Sequence, residues 1–153
     1  MMVKNGWLRS TELGKMIETI DIKIVTAKND AERKSFASIA LRHRLYISQD
    51  GWQLAYFLRL VKNLDHSCDI SLAYINDVPV GVSLLLHDMM PGPHNKKLSN
   101  QISVFVRKSY RKMGIGTRLL NTLKDKKPNI FAREGIEVSK NFYEKQNVYI
   151  AEW

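Results

Sequence analysis

The segment from Val104 to Leu120, VFVRKSYRKMGIGTRLL, holds the spacing that most suggests chemistry. A β-branched run turns strongly basic, passes Gly114 and Gly116, and leaves with helical periodicity. A helix N-terminus carries unpaired N–H groups and a partial positive charge, and phosphate is the anion usually held there. Close approach of an oxyanion to backbone requires that no Cβ intervene, which glycine provides. Consecutive N–H groups of such a turn form a concave nest. Arg107, Lys108, Arg111, Lys112 and Arg118 add longer-range attraction. The pattern lacks the Gly-Lys-Ser/Thr ending of a P-loop and the third glycine of the dinucleotide fingerprint. Two readings stand at this point: an anion-binding turn, or glycines that serve only to bend the chain.

The flanking elements decide how such a turn would be placed. Asp21–Ala27 alternates and is β-branched, which predicts a first strand. Asn29 and Asp30 cap a helix that turns Phe36, Ile39, Ala40 and Leu45 toward a core. A second helix is expected from Gly51 to about His66, and a short one over Ser10–Ile17. CDISLAYI and VPVGVSLLLH flank the polar pair Asn76-Asp77, the signature of an antiparallel hairpin. Asp88–Asn100 contains two prolines and no periodicity and reads as a loop. Gln101–Val106 is the next strand, followed by a helix from Gly114 to Asp125 that Pro128 stops. Asn129–Ala132 is a strand, Glu137–Gln146 a helix and Val148–Trp153 a terminal strand. The order is β-α-α-β-β-β-α-β-α-β: an α/β fold with a mixed, mostly antiparallel sheet and helices on both faces.

At 153 residues the chain reads as an N-terminal extension, 1–20, and one domain, 21–153. The hydrophobic fraction of 44% and charged fraction of 25% are those of an ordinary globular protein. The single cysteine, Cys68, excludes an internal disulfide framework and suits a buried structural thiol. No signal peptide and no apolar span of about 20 residues is present, so a cytoplasmic protein without a membrane partner is expected. The net charge of +9 calls for an anionic partner or a solvated basic face. Its distribution favours the former. Eight Lys or Arg and one acid, Asp125, lie between Arg107 and Lys127.

Three segments in order carry a resemblance. VRKSYRKMGIG resembles the acyl-CoA motif of the GNAT N-acyltransferases, with Arg111, Gly114 and Gly116 at its fixed positions. VPVGVSLLL resembles that family's third strand, and NFYEKQNV its segment on the last helix. The resemblance spans roughly Asp21 to Trp153 and implies a GNAT fold. It also implies transfer of an acyl group, acetyl in the first instance, from acyl-CoA to a primary amine by direct attack on the thioester.

Carried over residue by residue, the resemblance implies that the backbone around Met113, Gly114, Ile115, Gly116 and Thr117 holds the diphosphate, with Arg111 and Lys112 beside it. Val104 and Val106 would pair with the pantetheine amides, where their strand splays from the next, and the Val106 N–H would face the oxyanion. Tyr143 matches the tyrosine that protonates the departing thiolate. With a pKa of about 10, a phenol is a donor at neutral pH. Its bland alternative is an aromatic that only packs.

The departures are equally specific. Relatives place a glutamate base near the start of the fourth strand, where this chain has Asn100 and Gln101. His87, Asp88 and His94 are the candidate replacements, alongside a base acting through water. Asn147 replaces a glycine, a change that a left-handed helix cap tolerates. Trp52, Tyr56 and the loop Met89–Asn95, with His94, are expected to wall a pocket for a small-molecule or peptide amine. A shortened C-terminal part leaves an open sheet edge, which would favour a homodimer. The alternative reading is a catalytically inactive GNAT-fold module that binds protein or nucleic acid. Nucleic acid is not favoured, because Tyr110 is the one aromatic within the basic stretch.

Overall fold

A computed structural model describes residues 20–45, 68–89, 98–133 and 137–151. Its elements in chain order are β1 (Ile22–Thr26), α1 (Asp30–Arg42), β2 (Cys68–Ile75), β3 (Val78–Met89) and β4 (Ser99–Val106), then α2 (Ile115–Lys124), β5 (Ile130–Arg133), α3 (Glu137–Lys145) and β6 (Tyr149–Ala151). They form a six-stranded sheet in the order β1-β2-β3-β4-β5-β6. The first three pairings are antiparallel and the last two parallel. This is the expected mixed α/β sheet. The helices expected at Ser10–Ile17 and Gly51–His66 lie outside the described residues.

Local chemistry sets the element ends. The Asn29 side chain accepts the Glu32 N–H at 2.9 Å, while Glu32 Oε1 accepts the Lys28 N–H at 2.7 Å. These bonds satisfy amide donors at the start of α1. Asn76 and Asp77 take positive φ, 49° and 67°, as the tight hairpin turn between β2 and β3 demands. Asn147 closes α3 at φ 59°, the left-handed conformation expected of a residue standing in for glycine.

The central strands are covered on both faces. Val82, Leu84 and Leu86 of β3 pack with Phe36, Ala37 and Ala40 of α1, while Leu85 of β3 packs with Leu120 and Leu123 of α2 and with Tyr143 of α3. Among the described residues, one helix therefore packs on one face of the sheet and two on the other. Cys68 is buried in the α1-side cluster, as anticipated. Leu45 is fully buried there too, but from the turn beyond α1 rather than from the helix. In α2, Ile115, Leu119, Leu120 and Leu123 form the buried stripe, each burial worth roughly 1.5–3 kcal/mol. A Cβ at Gly81 would lie 2.9 Å from Leu119 Cδ1 and 3.1 Å from Phe105 O, so glycine lets α2 sit close upon β3.

The expected loop over Asp88–Asn100 is shorter at both ends. Asp88 and Met89 belong to β3, and Ser99 and Asn100 to β4. The strand continues by a bulge. Leu86 pairs with Gln101 and Met89 with Ser99, so His87 and Asp88 together oppose Asn100. Asp88 takes φ 55° at this point, and its N–H donates to Asn100 Oδ1 at 3.2 Å. Met89 packs against the α1-side core instead of lining a loop.

Candidate functional site

The sheet comes apart between β4 and β5. Their parallel pairing covers Asn100 with Ile130 and Gln101 with Phe131 and goes no further. Toward the C-terminal end of β4 the strands diverge. The direction of the freed groups follows from the ladder. Val106 pairs with Gly81, and the Arg107 N–H donates to Val80 O at 2.9 Å, so Arg107 points toward β3. Strand alternation then turns the N–H and C=O of Val104 and Val106 the other way, into the gap. The Asn100 N–H, on the same side, donates to Asn129 O at 2.9 Å, where β5 begins.

Tyr143 enters this gap from α3. Its ring is buried among Leu85, Ile102, Leu120 and Leu123, with Phe142 edge-on at 5.2 Å between centroids. Its phenol oxygen accepts the Val104 N–H at 2.9 Å. The Val106 carbonyl accepts Arg111 Nε at 3.0 Å. Arg111, expected among the anion-binding residues, thus ties the turn back onto β4 with one guanidinium nitrogen.

The turn at the head of the gap begins with a short 3-10 segment, Lys108–Tyr110. Lys112 follows at φ 65°, then Gly114 at φ 79° as the N-cap of α2. Gly114 has no side chain to cap the first helical amides, and a Cβ there would meet nothing within 4 Å. The first helical amides thus have no side-chain cap, and the same turn and helix carry the exposed Arg107, Lys108, Lys112 and Arg118. Gly116 has a different reason to be glycine. Its Cβ would lie 3.3 Å from Phe142 Cε1, so it serves the packing of α3 on α2. Ile115 is buried and offers only backbone, Met113 is exposed, and Thr117 is half-buried. Tyr110, the aromatic in the basic stretch, packs against the cluster of Ile115 and Leu119 rather than standing out as a stacking surface.

His87 and Asp88 lie away from the Tyr143 phenol. His87 Nε2 is 2.8 Å from Asp69 Oδ2, so the ring reaches toward β2, away from β4. Val104 pairs with Ser83, four residues before His87. At about 3.3 Å per residue this places His87 roughly 13 Å along the strand from the phenol's partner. Asp88 is exposed at the bulge. Asn100 has a structural task at the position of the relatives' glutamate. Its Nδ2 donates to Pro128 O at 2.6 Å while its Oδ1 accepts from Asp88, a pair of roles no carboxylate could fill. His94, Trp52 and Tyr56 lie outside the described residues. Sequence reasoning missed Gln146, whose Nε2 donates to Thr117 Oγ1 at 3.2 Å. No motif marked it, because the contact joins two helices 29 residues apart.

A parallel strand pair that stops after two residues, an αL glycine at the head of α2 and a tyrosine bonded to the freed strand define a class of fold. The acetyltransferase (GNAT) domain family matches residues 66–147. The chain belongs to that family. Solved structures agree on the fold. A predicted acetyltransferase from Clostridium acetobutylicum, crystallised with acetyl-CoA, is 16% identical over 82% of this chain and 88% of its own, with a TM-score of 0.52. Ribosomal-protein-alanine N-acetyltransferase from Brucella melitensis is 19% identical over 87% and 95%, TM-score 0.52. Aminoglycoside N-acetyltransferase AAC(6')-Iy, in complex with CoA, is 14% identical over 88% and 91%, TM-score 0.55. No curated protein sequence matches the chain.

Proposed function

We propose that this protein transfers an acyl group, acetyl in the first instance, from acyl-CoA to a small-molecule or peptide amine. The observation that carries the reading is the Tyr143 phenol 2.9 Å from the Val104 N–H, inside the gap where β4 has left β5. The residues present fit the group. Gly114 leaves space where a Cβ would stand, and the amides of Ile115 to Thr117 begin a helix with no side-chain cap. CoA-bearing structures of the same fold support the same assignment. Acyl-CoA, when bound, supplies a thioester carbonyl open to attack by an amine.

The protein's own groups supply the rest. Amides at the head of α2 hold a diphosphate with the help of the helix dipole. The Val104 C=O and Val106 N–H offer an acceptor and a donor along an open strand edge, the arrangement that pairs an amide-bearing chain. Tyr143 gives its proton to the leaving sulfur. A thiol ionises near 8.5 and a phenol near 10, so the transfer is a small step. A phenol in reach of the sulfur also lies beside the attacked carbonyl. The donor that faces the developing negative charge is therefore the Val104 N–H rather than that of Val106, about 7 Å further along the strand. The phenol oxygen accepts from that same N–H at 2.9 Å.

His87 bends toward Asp69 and Asp88 sits at the bulge, so the reading assigns neither to the amine's proton. An α-amine, with pKa near 8, yields its proton far more readily than a lysine side chain near 10.4. Such an acceptor, losing its proton to water, suits this site.

The test combines calorimetry with CoA and release of free thiol from acetyl-CoA in the presence of an amine panel. Micromolar binding together with amine-dependent thiol release is the expected result. Absence of CoA binding, with a salt-sensitive shift on RNA or an acidic protein instead, overturns the reading in favour of a binding module.

A further inference from the structure

The helix that carries Tyr143 also touches the first turn of α2. Gln146 is the residue just past α3, and its N–H donates to Phe142 O at 3.3 Å, so it continues the face on which Phe142 lies. Phe142 lies against Gly116, and Gln146 Nε2 donates to Thr117 Oγ1 at 3.2 Å. Thr117 is the third residue of α2, within the turn whose amides have no intrahelical partner. A hydroxyl has one proton and accepts through its lone pairs. Because the amide nitrogen can only donate, Thr117 must be the acceptor in this bond. Its own proton is then available to a different acceptor. Both side chains are half-buried, which gives the bond a fixed setting without sealing it from a ligand.

We propose that Gln146 is a positioning residue that fixes the Thr117 hydroxyl as a donor to the anion held at the head of α2. This rests on the acyl-CoA reading above and extends it to two side chains. The pair adds a directed O–H to a nest otherwise made of backbone. The bond runs as a relay: Gln146 N–H to Thr117 oxygen, Thr117 O–H to a phosphate oxygen. No bond is made or broken.

The experiment is calorimetric titration of CoA into wild type, Gln146→Leu, Thr117→Val, the double variant and Thr117→Ser, with melting temperatures measured alongside. Thr117→Val is expected to weaken CoA about ten- to a hundredfold, as loss of one hydrogen bond to a charged group does, and Gln146→Leu about three- to tenfold, because the hydroxyl itself remains. The double variant should be no weaker than Thr117→Val alone, because Gln146 acts only through that hydroxyl. Thr117→Ser should recover the affinity lost in Thr117→Val. Additive losses in the double variant, or wild-type affinity in Thr117→Val, overturn the proposal while leaving the acyl-CoA reading intact. Wild type that does not bind CoA overturns both. A melting temperature that falls equally in every variant, with unchanged affinity, assigns the contact to helix packing and overturns the relay.

Discussion

At Tyr143 a single phenol oxygen accepts the Val104 N–H inside the strand gap, and the proposed reaction asks that same group for the proton of a leaving thiolate. Tyr143→Phe removes the proton and keeps the ring. If Tyr143 is the acid, kcat should fall 10²- to 10⁴-fold, while CoA affinity by calorimetry changes little. A variant that keeps full kcat assigns Tyr143 to packing alone. The two positive-φ caps separate conformation from chemistry. Gly114→Ala places a side chain at φ 79° in open space. The strain should cost roughly 1–3 kcal/mol and reduce CoA affinity at the same time. Asn147→Gly relaxes φ 59° at the end of α3. It should leave catalysis alone and hold or slightly raise the melting temperature.

At the element scale, β4 does two jobs that pull in different directions. Its first two residues anchor β5, and the remainder leaves it. Asn100 sits at the join, bridging the β3 bulge at Asp88 and the Pro128 carbonyl before β5. Asn100→Leu strands buried donors and acceptors, with an expected cost of about 1–3 kcal/mol for each group left unsatisfied. The thiol-release rate should fall with it, since the gap opens from that anchor. Chemical denaturation of the variant checks the first outcome, and a stability loss without a rate loss would show that the gap is set elsewhere. Leu120, fully buried between β3, β4 and α3, gives the reference value for α2: Leu120→Ala should cost about 2–5 kcal/mol.

Across the whole molecule the surplus of positive charge is uneven, and the exposed bases Arg107, Lys108, Lys112 and Arg118 ring the head of α2. A ligand bearing several phosphate charges should therefore be drawn in by a field that salt screens. Raising salt from about 50 mM to about 500 mM should lower kcat/KM for acetyl-CoA several-fold, with kcat nearly unchanged. An unchanged kcat/KM would mean that the basic ring acts on something other than this ligand.

The pattern of strands and helices was legible in the chain because each rests on near neighbours: alternation in Cys68–Ile75, the Asn29 cap, the Asn76-Asp77 turn and the Leu119-Leu120-Leu123 stripe. The glycine turn at the head of α2 was legible for the same reason, since a basic turn between a strand and a helix is a local signature. The bulge at His87-Asp88 was not, because it depends on Asn100 across the sheet, and the segment that looks like a loop is in part strand. The sequence could not distinguish Gly114, glycine for its backbone angle, from Gly116, glycine for the ring of Phe142. Nor could it choose Val104 over Val106 as the phenol's partner, or connect Gln146 with Thr117. Composition and spacing along one dimension determined the elements and the family they resemble. Which donors meet which acceptors was decided only when strands diverged and helices crossed, because hydrogen bonds form over ångströms between residues that the chain keeps far apart.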